Sequence, residues 1–158
     1  YGELEWFGRG PHENYWDRKT GAAIGRYRST VAEQYHDYSR PQETGNKTDV
    51  RWFALRDRQG FGLKFTADGL LGFSALPLLQ SDLDHDRSRA APNRHGGLVE
   101  FRDLVGVNID HLQTGVGGDN SWGALPMAKY RIPARRYQWR FRMEPIGPGE
   151  DAGRRAIE

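Results

Sequence analysis

The sequence predicts an all-β, antiparallel sandwich. Three observations carry this: apolar and polar residues alternate over short runs, Gly, Pro and Asp separate those runs at close spacing, and scarcely any stretch keeps a period of 3.6. A chain of 158 residues suits one domain with one core. That domain is assigned to 1–146, and the Pro-, Gly- and charge-rich stretch 147–158 is read as a disordered polar tail.

In chain order, Gly2 to Phe7 alternates well enough for a strand, which Gly8-Arg9-Gly10-Pro11 ends. Ala22 to Tyr27 is a second strand. Val31 to Tyr38 is expected to make two helical turns with Val31, Gln34, Tyr35 and Tyr38 on one side. Pro41 and Gly45 then mark the corners of a loop. The clearest pair of strands follows: Val50 to Leu55, a reversal at Asp57-Arg58-Gln59-Gly60, and Phe61 to Thr66, a hairpin with one strand covered on both faces. Ala67-Asp68-Gly69 is read as a second turn, and Leu70 to Phe73 as the next strand. Leu98 to Phe101, Val105 to Ile109, Met127 to Ile132 and Arg136 to Glu144 complete the set. The last of these places Tyr137, Trp139, Phe141 and Met143 on one face and Arg136, Gln138, Arg140, Arg142 and Glu144 on the other.

Composition narrows the function classes. Apolar residues make up 37% and charged residues 28%, a wet chain whose 12% of aromatics supplies large buried surfaces. Positive and negative residues are interspersed and sum to +2, so a pI near 9.0 does not point to a polyanion. Without cysteine there is no disulfide, thiolate metal site or cysteine nucleophile, and nothing requires an oxidising compartment; the cytoplasm is favoured without being fixed. No apolar run reaches the length of a membrane-spanning helix. The sequence opens on Tyr1 and its only methionines are Met127 and Met143, so it reads as a piece of something longer.

Gln113-Thr114-Gly115-Val116-Gly117-Gly118-Asp119-Asn120-Ser121-Trp122-Gly123 has neither helical nor strand period. Its four glycines in nine residues permit positive φ and close approach, and they present an indole that can stack on a ligand. A tight turn whose Trp tucks into the core is the competing reading. No helix follows to offer its amino terminus to a phosphate, and no serine sits in a nucleophile elbow. His12-Glu13-Asn14-Tyr15-Trp16-Asp17-Arg18 is dense in hydrogen-bonding groups. Glu13, Asn14, Tyr15 and Arg18 are assigned a structural or domain-interface role, with Arg18 buried as a partner of Glu13, in preference to an acid/base pair of Glu13 and Asp17. Asp82-Leu83-Asp84-His85-Asp86 resembles a metal string. It fails as a calcium loop, having Arg87 and Asn93 where Gly and Glu are needed, and His85 and His95 lack the spacing of a zinc pair.

Three motifs in order add a family resemblance: Trp6-Phe7-Gly8-Arg9-Gly10-Pro11-His12-Glu13-Asn14-Tyr15 with Asp17-Arg18; Pro41-Gln42-Glu43-Thr44-Gly45-Asn46 leading to Arg51-Trp52; and Asn108-Ile109-Asp110 leading to Gly115 through Gly123. Over about residues 3 to 145 the chain resembles the C-terminal small-chain domain, the last of five, of lac-type β-galactosidases in glycoside hydrolase family 2. Trp16 departs from the proline usual after Glu-Asn-Tyr. The resemblance implies a galactose mutarotase-like super-sandwich, of which this chain is the C-terminal half. It also implies retaining hydrolysis of terminal β-galactosides by two glutamates on a separate barrel domain, neither of whose motifs is present here. Trp122, with Asp119 and Asn120, is by this resemblance the sugar contact. No catalytic residue and no cofactor is assigned to this chain; magnesium (Mg) and sodium (Na) belong to the barrel side of the full-length enzyme. Expected partners are a galactoside such as lactose, the remaining domains and a second copy in a homo-oligomer, with no nucleic acid and no membrane. A stand-alone carbohydrate-binding module is the alternative. A mutarotase-like enzyme, the third reading, would draw on His95, His111 and Glu100.

Overall fold

A computed structural model of the protein describes residues 1–39, 41–83, 99–118, 120 and 123–154. Its described residues form an antiparallel sheet of six strands: Glu3–Gly10 (β1), Ala23–Thr30 (β2), Lys47–Arg56 (β3), Gly62–Leu76 (β4), Gly106–Asp110 (β5) and Phe141–Ile146 (β6). The all-β, antiparallel expectation is met. The order is β2-β1-β3-β4-β5, with β6 also on β4. β4 is the spine. Its first half pairs with β6 (Gly62 with Ile146) and its second with β5 (Leu76 with Gly106), while β3 runs along its other side.

The hairpin between β3 and β4 follows from local chemistry. Asp57 Oδ1 accepts the amides of Gln59 and Phe61, each at 2.9 Å, and Gly60 takes the left-handed φ of +91° that closes the turn. The turn expected at Ala67-Asp68-Gly69 is not a reversal. Gly69 does adopt φ +97°, but the strand continues through it. Between the pairs Val50–Leu71 and Trp52–Thr66, β3 advances two residues and β4 five, so the extra residues bulge from β4. This shift, with another between Lys47 and Val50, lets Val50 and Phe53 both enter the core although three positions separate them.

The core is Leu4, Trp6, Val31, Val50, Phe53, Leu55, Phe65, Leu71, Phe73 and Ala75. Phe53 stacks between Phe65 and Phe73, with ring centroids 4.4 and 4.1 Å away. Trp52 and Ala54, on the opposite face of β3, are also buried, with Ile146 and Ala152. β3 is thus the strand of the hairpin that is covered on both faces.

Four other expectations are corrected. Val31 to Tyr38 makes only a 3₁₀ turn at Ala32–Gln34, where the Glu33 carboxylate accepts the Thr30 amide at 2.9 Å, and Tyr35 is already extended. Met127 to Ile132 holds another 3₁₀ turn, Ala128–Tyr130, in place of a strand. Of Arg136 to Glu144, only the part from Phe141 onward pairs with β4. Its apolar face is open, with Phe141 47% and Met143 58% exposed, while Trp139 packs on the core. Residues 147–154, expected as tail, lie back on the sheet, with Ala152 buried and the Arg154 carbonyl accepting Lys64 Nζ at 2.9 Å. Arg56 on β3 and the buried Lys64 on β4 give this Gly-Pro segment partners that composition does not reveal.

Candidate functional site

The polar segment after β1 is locked into the chain by its own side chains. Asn14 is fully buried. Its amide donates to the Asn46 carbonyl, Asn46 Nδ2 donates back to the Asn14 carbonyl, both at 2.8 Å, and Asn14 Oδ1 accepts Thr48 N at 2.9 Å and Thr48 Oγ1 at 2.6 Å. Glu13 Oε2 accepts Thr44 Oγ1 at 2.8 Å, Gly45 N at 2.9 Å and the Tyr15 hydroxyl at 3.2 Å, and Oε1 accepts the Tyr38 hydroxyl. Burial, then the Glu13 charge, pushes the Tyr15 phenol well up. Two of the sequence motifs, at 13–14 and 44–46, therefore form one polar knot.

Lys47 lies beneath that knot, 1% exposed. Its ammonium donates to Gln34 Oε1 at 2.8 Å and the Gly45 carbonyl at 2.9 Å and lies 5.2 Å from the centre of the Trp6 ring. Burial pushes it down to about 8, against the pull of Glu13. Arg18 does not share in this arrangement. Its side chain is 61% exposed and donates to the Asp17 carbonyl at 3.3 Å, so the expected burial against Glu13 is not found. The Tyr15–Arg18 turn explains this, because its reciprocal backbone bonds of 3.2 and 2.9 Å aim residues 17 and 18 away from Glu13.

They aim at the glycine-rich loop instead. Asp17, its side chain 4% exposed, accepts the amide of Val116 on Oδ1 at 3.0 Å and that of Gly117 on Oδ2 at 2.8 Å. Burial pushes its carboxyl up, but those two amides outweigh it and hold it below the usual carboxylate value. From the other side, Gly115 N donates to the Tyr130 carbonyl at 2.7 Å. A Cβ at Gly115 would stand 2.8 Å from Asp17 Oδ2, one at Gly117 2.3 Å from Arg18 Nη2, and one at Gly118 2.5 Å from the Ala124 carbonyl. Gly115 and Gly118 are required by close approach, whereas the exposed Arg18 guanidinium can yield to a Cβ at Gly117; of the loop's glycines only Gly123 takes a positive φ, +101°.

The loop's base is tied to the knot. Gln113 Nε2 donates to Asn46 Oδ1 at 3.1 Å and to Asp110 Oδ2 at 2.9 Å. Beside it, Asn108 Nδ2 joins Ser74 Oγ at 3.1 Å to Glu43 Oε1 at 3.4 Å. Burial raises the carboxyls of both Glu43 and Asp110, and the Asp110 charge adds to the rise at Glu43. Of the three sugar-contact residues expected from the sequence, Asn120 is exposed, and Asp119 and Trp122 lie outside the described residues.

The metal string falls mostly outside them too, at Asp84, His85 and Asp86, as does His95. Asp82 pairs with Arg102 and accepts the Leu79 amide at 2.9 Å. Among the described residues, no three His, Asp or Glu side chains are grouped to hold a metal ion. His111 stacks on Trp139, 5.6 Å between ring centres, and Phe101, next to Glu100, packs on Tyr35. Sequence reasoning missed the roles of Asp17 and Lys47. The only signal for the first was a carboxylate beside an unexplained run of glycines, and for the second a lysine just before the most apolar strand.

Comparison with known proteins points one way. A profile of the family described as "Beta galactosidase small chain" matches residues 1–143. The chain is 40% identical over 148 residues to a protein named beta-galactosidase from Priestia megaterium, covering 92% of this chain. It is 35% identical to one from Lactobacillus delbrueckii subsp. bulgaricus, with 91% of the chain covered, and 34% identical to one from Streptococcus thermophilus, with 90% covered. In each case it spans only about 14% of the relative's length.

Proposed function

Because this chain belongs to the beta galactosidase small chain family, we propose that it is the part of a retaining β-galactosidase that completes the sugar site with the Trp122 loop and packs against the enzyme's other domains. Hydrolysis of the terminal β-galactoside, by one carboxylic acid and one nucleophilic carboxylate, is assigned to the rest of the protein, together with any Mg or Na ion. Trp122 offers an indole to the apolar C–H face of a pyranose, while Asp119 and Asn120 serve hydroxyls at its edge.

One observation carries this reading: the glycine-rich stretch leading to Trp122 is held by partners from distant parts of the chain, Asp17 on one side and Tyr130 on the other. A turn that merely reverses direction needs no such holding. The open apolar face of Phe141 and Met143 supports packing against further protein.

The test is Trp122→Ala in the intact protein. Loss of the indole is expected to weaken lactose and acceptor glucose by about 1–3 kcal/mol, roughly 5- to 150-fold, with Trp122→Phe recovering part. Turnover of an activated aryl galactoside at saturation falls less, since its leaving group needs little positioning. If lactose KM and glucose affinity both match the parent, Trp122 is no sugar contact and this reading falls.

A further inference from the structure

The carboxylate of Asp17 is spent on two backbone amides 99 and 100 positions away, at 3.0 and 2.8 Å. Both of its oxygens are used, and its side chain is 4% exposed while that of Arg18 beside it is 61% exposed. A carboxylate left on the surface would remain hydrated, so its near-complete burial is offset by what it holds. What it holds is narrowly defined. Gly115 is fixed separately by the Tyr130 carbonyl, and Gly118 passes against the Ala124 carbonyl with no room for a Cβ. Val116 and Gly117, between these points, are satisfied by the Asp17 carboxylate.

We propose that Asp17 is the positioning residue of the glycine-rich loop: its carboxylate sets the backbone of Val116 and Gly117, and so the reach of the sugar contact that follows. The second clause rests on the function proposed above; the first stands without it. Asp17 touches neither sugar nor reacting atoms in this account. It acts through the loop, and at Gly115 the Asp17 carboxylate and Tyr130 Cβ leave no room for a Cβ.

The experiment uses the intact protein with Asp17→Asn, Asp17→Ala, Trp122→Ala and the two double variants. Asn at 17 keeps size and removes the charge. It can accept only one of the two amides, because its own NH₂ faces the other. Hydrogen exchange over residues 113–118 is expected to quicken about tenfold in Asp17→Asn while exchange in β1 and β3 stays at the parental rate. Lactose KM is expected to rise about 5- to 30-fold, by more than kcat falls, and this rise disappears when Trp122 is already Ala.

Unchanged exchange at 113–118 in Asp17→Asn overturns the positioning role, whatever the kinetics. Faster exchange in β1 and β3 as well also overturns it, since Asp17 would then serve the whole fold. If Trp122→Ala leaves lactose binding intact, the sugar reading fails, and the exchange result still decides Asp17. Should both Asp17 variants fail to fold, Gly115→Ala displaces the same backbone, its Cβ standing 2.8 Å from Asp17 Oδ2 and 2.9 Å from Tyr130 Cβ. It must then give the local exchange and the KM rise, and a parental result there rejects the proposal.

Discussion

Arg56 Nη1 donates to the Gly147 carbonyl at 2.8 Å, joining the end of β3 to a residue 91 positions later. The same guanidinium reaches the Gly60 carbonyl at 2.7 Å and, through Nη2, the Glu150 carbonyl at 2.6 Å. Asp151 meets Arg26 at 2.5 Å, and Ala152 closes over Trp52 and Ala54. Residues 147–154 are therefore a strap over the outer face of the sheet, beyond the stretch the family profile matches.

Removing the strap should be measurable. Arg56→Gln is expected to cost about 1–3 kcal/mol by stranding carbonyls that the guanidinium now satisfies. Ending the chain after Ile146 should lower the melting temperature further, because Trp52 and Ala54 become wet. Limited proteolysis checks the mechanism: Arg56→Gln should open a cleavage site within 147–154. A parental cleavage pattern would mean that Arg56 does not hold the strap.

The polar knot predicts a contrast between neighbours. Glu13→Gln puts an NH₂ among donors from Thr44, Gly45, Tyr15 and Tyr38 and is expected to cost about 1–3 kcal/mol in denaturant unfolding. Arg18→Ala, at an exposed side chain, should stay within about 0.5 kcal/mol. Equal losses at the two positions would restore the Glu13–Arg18 pairing expected from sequence.

Lys47 carries a pH dependence of determined sign. Its folded-state value, about 8, lies below the ordinary 10.5, so between these pH values the unfolded chain binds more protons and stability rises with pH. Below about 8 the cost of the buried ammonium is fully present. From pH 7.5 to 9.5 the protein should gain about 2 kcal/mol relative to Lys47→Met, whose buried position no longer titrates. Tyr15, raised by burial, acts oppositely only above its ordinary 10.0, outside this range. Parallel unfolding curves for the two proteins across the range would refute the assignment.

Strand packing gives a steric prediction. A Cβ at Gly62 would sit 1.9 Å from the Leu55 carbonyl oxygen, inside the β3–β4 ladder, whereas one at Gly21 meets nothing within 4 Å. Gly62→Ala should cost at least about 2 kcal/mol by prying the strands apart, and Gly21→Ala should be neutral within about 0.5 kcal/mol. Thermal melts of the pair decide it.

Much of the fold was legible in the residues themselves. Alternation placed β1, β2, β5 and the β3–β4 hairpin, because a strand's period of two is a local property of the backbone and Asp57 and Gly60 write their own turn. The glycine spacing of 115–118 and the hydrogen-bonding wealth of 12–18 were equally visible, as were the family motifs. Tertiary structure decided the rest. Gly69 has turn chemistry, yet β4 runs through it because β3, β5 and β6 supply partners to both halves of the strand. Lys47 reads as a surface residue until Gln34, Gly45 and Trp6 close around it. Nothing near Asp17 in sequence names Gly117 as its partner, since a carboxylate's choice among amides depends on which backbone the completed sheet brings within 3 Å. Period and turn propensity are settled over a few residues, whereas burial and long-range hydrogen bonds exist only once the chain has closed on itself.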